Sequence, residues 1–440
     1  MRLSVAAFAA LLMIQSSAAA SEPPVLSRPP VATRAALPAA VGSAVSAPFA
    51  AAGLGNQVAV TIMDAATGGS LYRKGAQVPV LPASTLKLVT AVTALTVLPA
   101  EATLRTTLLM SGAVAGGVLK GDLVLVGGGD PTLSSLDTPE YPAPTRLSAL
   151  VAAVRRNGIT AITGGIIVDT SAYTGPALGA GWMPSYVGEG AAAPVTALMV
   201  DGARSNPASK TGARSAKPEI LAGQRFSAML KARGVKVGTG ITRGSAPAGA
   251  TEIGSVRSAP LPALVERMLQ HSDNDLAEAL LRMAAVAKGL PASFSGGAQV
   301  VTATLTALGL PMNGVVLHDG SGLSRADRVT TDLLAAVLRL ATSPDRPELR
   351  PILTGLPVAG FNGTLVRRYR DTATRAAAGL VRAKTGTLDN VTTLAGVMVT
   401  RSGQLLVFAT SADRVPTAAV GRAARLLDVA VAAAQACGCP

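Results

Sequence analysis

Between Leu81 and Leu95 the chain reads LPASTLKLVTAVTAL, and its apolar positions Leu86, Leu88, Val89, Ala91, Val92, Ala94 and Leu95 run nearly all the way round a helix. A helix that is apolar on every side is buried. Pro82 and Ser84 are helix-start residue types, so the pattern predicts a buried helix beginning there, with Ser84 at the positive end of its dipole. Upstream, NQVAVTIMD and SLYRK read as two strands joined at Ala66-Thr67-Gly68-Gly69, a hairpin. Beyond Glu101 the stretch TLRTTLLMSGAVAGGVLKGDLVLV is β-rich, with turns at Gly116-Gly117 and Gly127-Gly128-Gly129. A helix over Thr145 to Arg156 and a strand over Gly164 to Asp169 follow, and Pro, Gly and Ser then cluster from Gly202 to Pro218 before a short helix near Phe226 to Arg233. Near Gly254 the pattern changes to longer helices, LPALVERMLQ and DLAEALLRMAAVA. It returns to strands in VTTLAGVMVT and QLLVFATS, around Arg401-Ser402-Gly403, and ends in an alanine-rich helix from Thr417 to Ala436. An early and a late hairpin flanking helices fit one sheet closed by both ends of the chain. The expected division is a discontinuous domain from 51–104 and 256–440, with 105–255 inserted as a β-rich region.

A length of 440 residues suits two or three domains, and 49% hydrophobic with 15% charged residues supplies a packed core. The N-terminus adds a processing signal. Arg2, the apolar run Leu3 to Ile14 and the small residues Ala18-Ala19-Ala20 read as a secretory signal over 1–20, too short to span a bilayer. Residues 21–50 are rich in Pro, Ala and Ser without periodicity and read as a flexible leader. The mature chain is therefore expected outside the cytoplasm, soluble or peripherally attached. A net charge of +14 suits an anionic wall polymer or membrane surface. Nucleic acid is disfavoured, because no basic run is interleaved with aromatic residues. The two cysteines, Cys437 and Cys439, sit one residue apart at the chain end, where a mutual disulfide would close a strained ring. With His271 and His318 isolated, no zinc site and no cofactor is expected.

Lys87 is the only charged residue between Lys74 and Glu101. Burial disfavours its charged form and lowers its pKa, the environment in which a lysine acts as a base. Three residues of spacing put Ser84 and Lys87 on one helix face. The plainer alternative is that Ser84 only caps the helix and Lys87 snorkels to the surface. A second polar cluster, HSDND, holds Ser272, Asp273 and Asn274, and Ser272 with Asp275 approximates a capping box. A third, RAKTGTLDN, places Lys384, Thr385, Gly386 and Thr387 just before the late hairpin. There a charge, two hydroxyl donors and a glycine suit a carboxylate approaching a sheet edge. Alone the tripeptide is weak, since Lys210-Thr211-Gly212 repeats it inside the Pro/Ser-rich stretch with no strand following.

Together and in this order, S-x-x-K, S-x-N and K-T-G resemble the signature of active-site serine penicillin-binding enzymes and serine β-lactamases. The 188 residues from Ser84 to Ser272 exceed what a plain β-lactamase needs. An insertion there resembles the D-alanyl-D-alanine carboxypeptidase/endopeptidase family of class C low-molecular-mass penicillin-binding proteins, as do GDLVLVGGGDPTL, HDGSGLSR and LPVAGFNGTLVRR. The resemblance implies an α/β fold of the β-lactamase/transpeptidase type carrying an inserted region. It implies that Ser84 attacks the D-Ala-D-Ala carbonyl and forms an acyl-enzyme, Lys87 takes its proton, and Ser272 passes one to the leaving D-alanine. Asn274 would hold the substrate amide, and Lys384 would keep Lys87 neutral and attract the substrate. Thr385 and Thr387 would receive the carboxylate, Gly386 would allow close approach, and the N–H groups of Ser84 and Thr387 would form the oxyanion hole. Peptidoglycan stem peptides are the implied substrates and β-lactams the covalent inhibitors. A β-lactamase and a non-catalytic wall-binding protein of the same fold are the alternatives.

Overall fold

The structure is a computed structural model that describes residues 37–437 apart from residue 239; the predicted signal segment and Cys439 lie outside the described residues. Helix α1 (Leu37–Phe49) leads into the hairpin of β1 (Gln57–Asp64) and β2 (Ser70–Lys74), and a 3-10 turn over Ala83–Leu86 runs straight into helix α2 (Lys87–Val97). Strands β3 (Arg105–Ala115) and β4 (Val118–Val126) follow, then helix α3 (Leu147–Arg156), strands β5 (Ala161–Ile162) and β6 (Ile166–Asp169) and the single turn α4 (Tyr186–Glu189). Helix α5 (Pro218–Ala232) precedes β7 (Lys236–Val237), β8 (Ile241–Arg243) and β9 (Thr251–Arg257). Five helices come next: α6 (Leu261–His271), α7 (Asn274–Ala287), α8 (Phe294–Ala307), α9 (Thr331–Thr342) and α10 (Arg350–Gly355). Strands β10 (Val381–Leu388), β11 (Val391–Val399) and β12 (Leu405–Asp413) and helix α11 (Val420–Ala436) end the fold.

The early and late hairpins share one antiparallel sheet in the order β10-β11-β12-β1-β2. Strand β1 zips to β12 from Gln57 opposite Asp413 to Asp64 opposite Leu406, so both halves of the chain close one sheet, as the pattern predicts. Side chains alternate across a strand, and β12 shows it. Val407 and Ala409 enter the core with Leu88 and Val92 of α2 and Leu334 and Leu338 of α9. Leu406 and Phe408 enter the opposite core with Leu427 and Val431 of α11. A second sheet, β7-β5-β4-β3-β9 with β6 and β8 alongside, uses only strands between Arg105 and Arg257. Its Leu108, Leu119, Leu123 and Leu125 pack under Leu150 and Val154 of α3 and Phe226 and Leu230 of α5.

Four local expectations change. The leader is not structureless throughout. Val41, Val45 and Phe49, four apart, form a helical stripe that is fully buried beside α11. Helix α5 starts at Pro218 rather than near Phe226, with proline at its first position, where the missing N–H costs nothing. The late strands begin earlier than VTTLAGVMVT: Lys384 to Thr387, just before that hairpin, lie within β10, the outermost strand of the sheet. And the Ser272–Asp275 capping box is absent. Asp273 caps α7, accepting from Leu276 N at 3.0 Å, while Ser272 ends α6 in the left-handed conformation, φ 56°.

Candidate active site

The turn into α2 is held by strain and close packing. Ala83 has φ 46°, a conformation that costs an L-residue about 1–2 kcal/mol. The carbonyl of Pro82 accepts from Thr393 Oγ1 of β11 at 2.9 Å and from Thr85 Oγ1 at 2.6 Å. Gly322 (φ 80°) and Gly386 press against this turn. A Cβ on Gly322 would collide with Ala83 O, and one on Gly386 would overlap Thr393 Oγ1 and stand 2.9 Å from Pro82 O. Two separate parts of the chain therefore fix the backbone that carries Ser84.

Lys87 is completely buried. It does not snorkel. Its Nζ donates to Ser84 Oγ at 3.0 Å, to Asn274 Oδ1 at 2.6 Å and to Ser321 O at 2.7 Å, which uses all three protons of an ammonium. Burial lowers its pKa to about 8, against the raising charges of Asp319, Glu278, Asp273 and Asp275. About a tenth of the molecules then carry the free amine at neutral pH. On β10 Lys384, also buried, donates to Ser272 Oγ at 2.9 Å and to Thr385 O at 2.7 Å. Its pKa falls well below the lysine range, by burial first and then by repulsion from Lys87. Burial, and not the charge of Lys384, is thus the leading cause of the lowered value at Lys87.

The predicted residues assemble as two connected sets. Ser84, Lys87 and Asn274 meet through one ammonium, and Ser272 meets Lys384. Thr385 donates its hydroxyl to Thr364 Oγ1 at 2.7 Å, and Thr387 is exposed on the same edge strand. Strand β10 carries a single bridge on its outer side, between Val358 and Arg382. His271 is exposed at the end of α6, and the Lys210-Thr211-Gly212 copy lies in turns away from any strand.

Sequence reasoning misses the support behind Lys87. Glu278 of α7 is fully buried and accepts from the N–H groups of Gly320 and Ser321 at 3.0 and 2.9 Å, which sets the carbonyl of Ser321 beneath Lys87. Asp319 takes Trp182 Nε1 at 2.7 Å and the N–H of Ser324 at 2.7 Å. Asp327 beside it is pushed up to about 10 by burial and then by the charge of Asp319, so it holds a proton at neutral pH. Glu278 and Arg282 stand four apart on α7, a spacing that on an exposed helix face makes a solvated pair. In fact both side chains are buried, and the guanidinium stacks 4.1 Å over the Phe294 ring.

A family model described as D-Ala-D-Ala carboxypeptidase 3 (S13) matches residues 43–212 and 203–434. The chain belongs to the S13 family. A Mycobacterium tuberculosis relative named carboxypeptidase is 40% identical over 86% of this chain and 81% of its own length. The carboxypeptidase DacB of Mycolicibacterium smegmatis is 39% identical over 93% of this chain and 86% of its own. The crystal structure of penicillin binding protein 4 from Haemophilus influenzae covers 89% of this chain and 98% of its own at a TM-score of 0.73 and 22% identity, which shows that the fold is shared.

Within this S13 chain, Gly386→Ala tests the lock on the serine turn. The added methyl has no room beside Thr393 and Pro82, and overpacking of this kind costs about 1–3 kcal/mol. Penicillin labelling should slow by about tenfold, the equivalent of ~1.4 kcal/mol, with a lowered denaturant midpoint. Unchanged labelling would show that the turn tolerates displacement.

Proposed function

We propose that this protein is a serine D-Ala-D-Ala carboxypeptidase/endopeptidase that cleaves peptidoglycan stem peptides through an acyl-enzyme on Ser84 and binds penicillins at the same residue. The observation that carries this reading is the fully buried Lys87 amine 3.0 Å from Ser84 Oγ, with a pKa brought down to about 8.

An extended peptide end lies along the open side of β10 as an added strand. Its terminal carboxylate goes to Lys384, Thr385 and Thr387, and that negative charge raises the proton affinity of Lys384 again. The substrate thus supplies a counter-ion to Lys384. Asn274 holds the substrate amide. Free-base Lys87 takes the proton as Ser84 Oγ bonds to the carbonyl carbon, and the N–H groups of Ser84 and Thr387 receive the developing oxyanion. The C–N bond breaks as the leaving D-alanine nitrogen gains a proton through Ser272. Lys384 donates to the Ser272 oxygen, so a proton from its ammonium replaces the one that Ser272 passes on. Water then adds to the ester, giving the shortened peptide acid and regenerating the serine. A β-lactam follows the same first step, and its ester persists. Residues 105–255 form the inserted region in this reading. The place of action is outside the cytoplasm, beside the anionic wall; no helix among the described residues is long and apolar enough to cross a membrane.

The test is incubation with a fluorescent penicillin together with digestion of purified muropeptides read by mass. A stable label with loss of terminal D-alanine supports the proposal. Absence of label removes the serine mechanism, and rapid turnover of the label makes the protein a β-lactamase. Release of cross-linked partners in the same digest identifies the endopeptidase activity.

The pH profile follows from Lys87. Only the free amine accepts the serine proton, and its fraction grows as pH passes upward through about 8. The acylation rate constant for penicillin should therefore climb from pH 6 to 9 with its midpoint near 8. A rate that is flat or falls over that range contradicts the assignment of Lys87 as base.

A further inference from the structure

Asp275 follows the second motif, and its carboxylate does not serve the helix it begins. It is buried, its side chain 4% exposed. Its Oδ1 accepts from Ala193 N at 2.9 Å, and its Oδ2 lies 3.1 Å from Arg214 Nη1, a guanidinium that is itself 9% exposed. Arg214 comes from the Pro/Ser-rich stretch ahead of α5. It donates from Nε to Gly190 O at 3.1 Å and from Nη1 to Gly202 O. Gly190 and Gly202 have φ of 80° and 58°, and a Cβ on Gly202 would strike Arg214 Nη1, so the backbone is shaped around the guanidinium. Arg204 and Asp273 are the other charges facing the pair.

The segment held between these two side chains includes Ala191, whose carbonyl accepts from Asn274 Nδ2 at 2.8 Å. The other end of that amide, Oδ1, takes the 2.6 Å bond from Lys87. An asparagine amide fits its pocket in two orientations related by a flip, one presenting an acceptor and the other a donor. Facing Lys87 with Nδ2 would set donor against donor. Ala191 O is the group that selects the correct orientation, and Asp275 and Arg214 fix its position, one through Ala193 N and the other through Gly190 O. A buried ion pair contributes little stability, since apolar residues of similar volume do as well. Placement is what this one supplies.

We propose that Arg214 and Asp275 are positioning residues: they hold residues 190–193 so that Ala191 O orients the Asn274 amide toward Lys87, and a region outside the three motifs thereby sets the base. The proposal rests on Lys87 acting as base in the function above. Failure of that reading shows as an unlabelled wild-type protein, whereas failure of this one shows only in the variants.

The experiment is a double-mutant cycle on penicillin acylation in the full chain, with Arg214→Met, Asn274→Ala and the pair. A thermal melt serves as the control for folding. Arg214→Met is expected to slow acylation by about 10- to 100-fold with little change in substrate KM, and Arg214→Lys to recover part of the loss by keeping the charge at Asp275. In the Asn274→Ala background, removing Arg214 should cost less than threefold, because the orientation it sets no longer exists. Full additivity in that background overturns the proposal, as does an undiminished acylation rate in Arg214→Met. If Arg214→Met does not fold, the same cycle is run on Arg214→Lys, which loses the Nε bond to Gly190 O; additivity there overturns the proposal equally.

Discussion

Ser84→Ala is expected to remove all covalent penicillin label and to lower peptide hydrolysis by on the order of 10⁶, the scale on which loss of a nucleophile acts when the rest of the catalytic set cannot replace it. The fold should survive. Ser84 accepts one hydrogen bond, from Lys87, and that ammonium keeps two further acceptors in Asn274 Oδ1 and Ser321 O. A thermal midpoint close to wild type together with complete loss of label places the effect in the chemistry. Residual label at the same stoichiometry would place the acylated residue elsewhere, and peptide mapping of the adduct would locate it.

Lys87→Met has the second largest expected effect. General-base catalysis contributes about 10²–10⁴ in rate, so acylation should fall by that factor. The rise through pH 8 should vanish with it, because the group that titrates there is gone. Stability should move in the opposite sense to intuition. The substitution leaves Asn274 Oδ1 and Ser321 O without their donor, at about 1–3 kcal/mol each, but it also removes the desolvation of a buried charge, an effective penalty of several kcal/mol. The denaturant midpoint should hold or rise. A variant that kept its pH limb would assign the titration to another group, with Lys384 the first to examine, since its amine lies near Lys87 and burial lowers its pKa too.

The proposed site residues were legible because their types and order are unusual. A lysine alone among apolar residues stands out, and so does the order S-x-x-K, S-x-N, K-T-G. What surrounds them was not legible, for a physical reason. Lys87 rests on carbonyl Ser321 O, and Asn274 on carbonyl Ala191 O. A main-chain acceptor leaves no mark in the sequence. Glu278 and Arg282 leave no mark either, because helix spacing is the same whether a face is wet or dry; only the burial of α7 on both sides shows that this pair is dry. Strand β10 was missed because VRAKTGTL breaks the alternation expected of a strand with charge and glycine, the very features its open edge uses. The opposite happened at α1, where proline content masked a stripe of three apolar residues, four apart, that the fold buries.

The contact of Ala83 with Gly322 and Gly386 limits how the site can change over time. Ala83 stays left-handed because both glycines leave it that space, and each glycine is confined by the turn it faces. A change at any one of the three is damaging until the other two have adjusted, so this corner is closed to stepwise adaptation. Altered penicillin susceptibility in this chain should therefore arise through exposed positions of the edge strand, Thr387 foremost, and the serine turn should stay as it is in any variant selected under the drug.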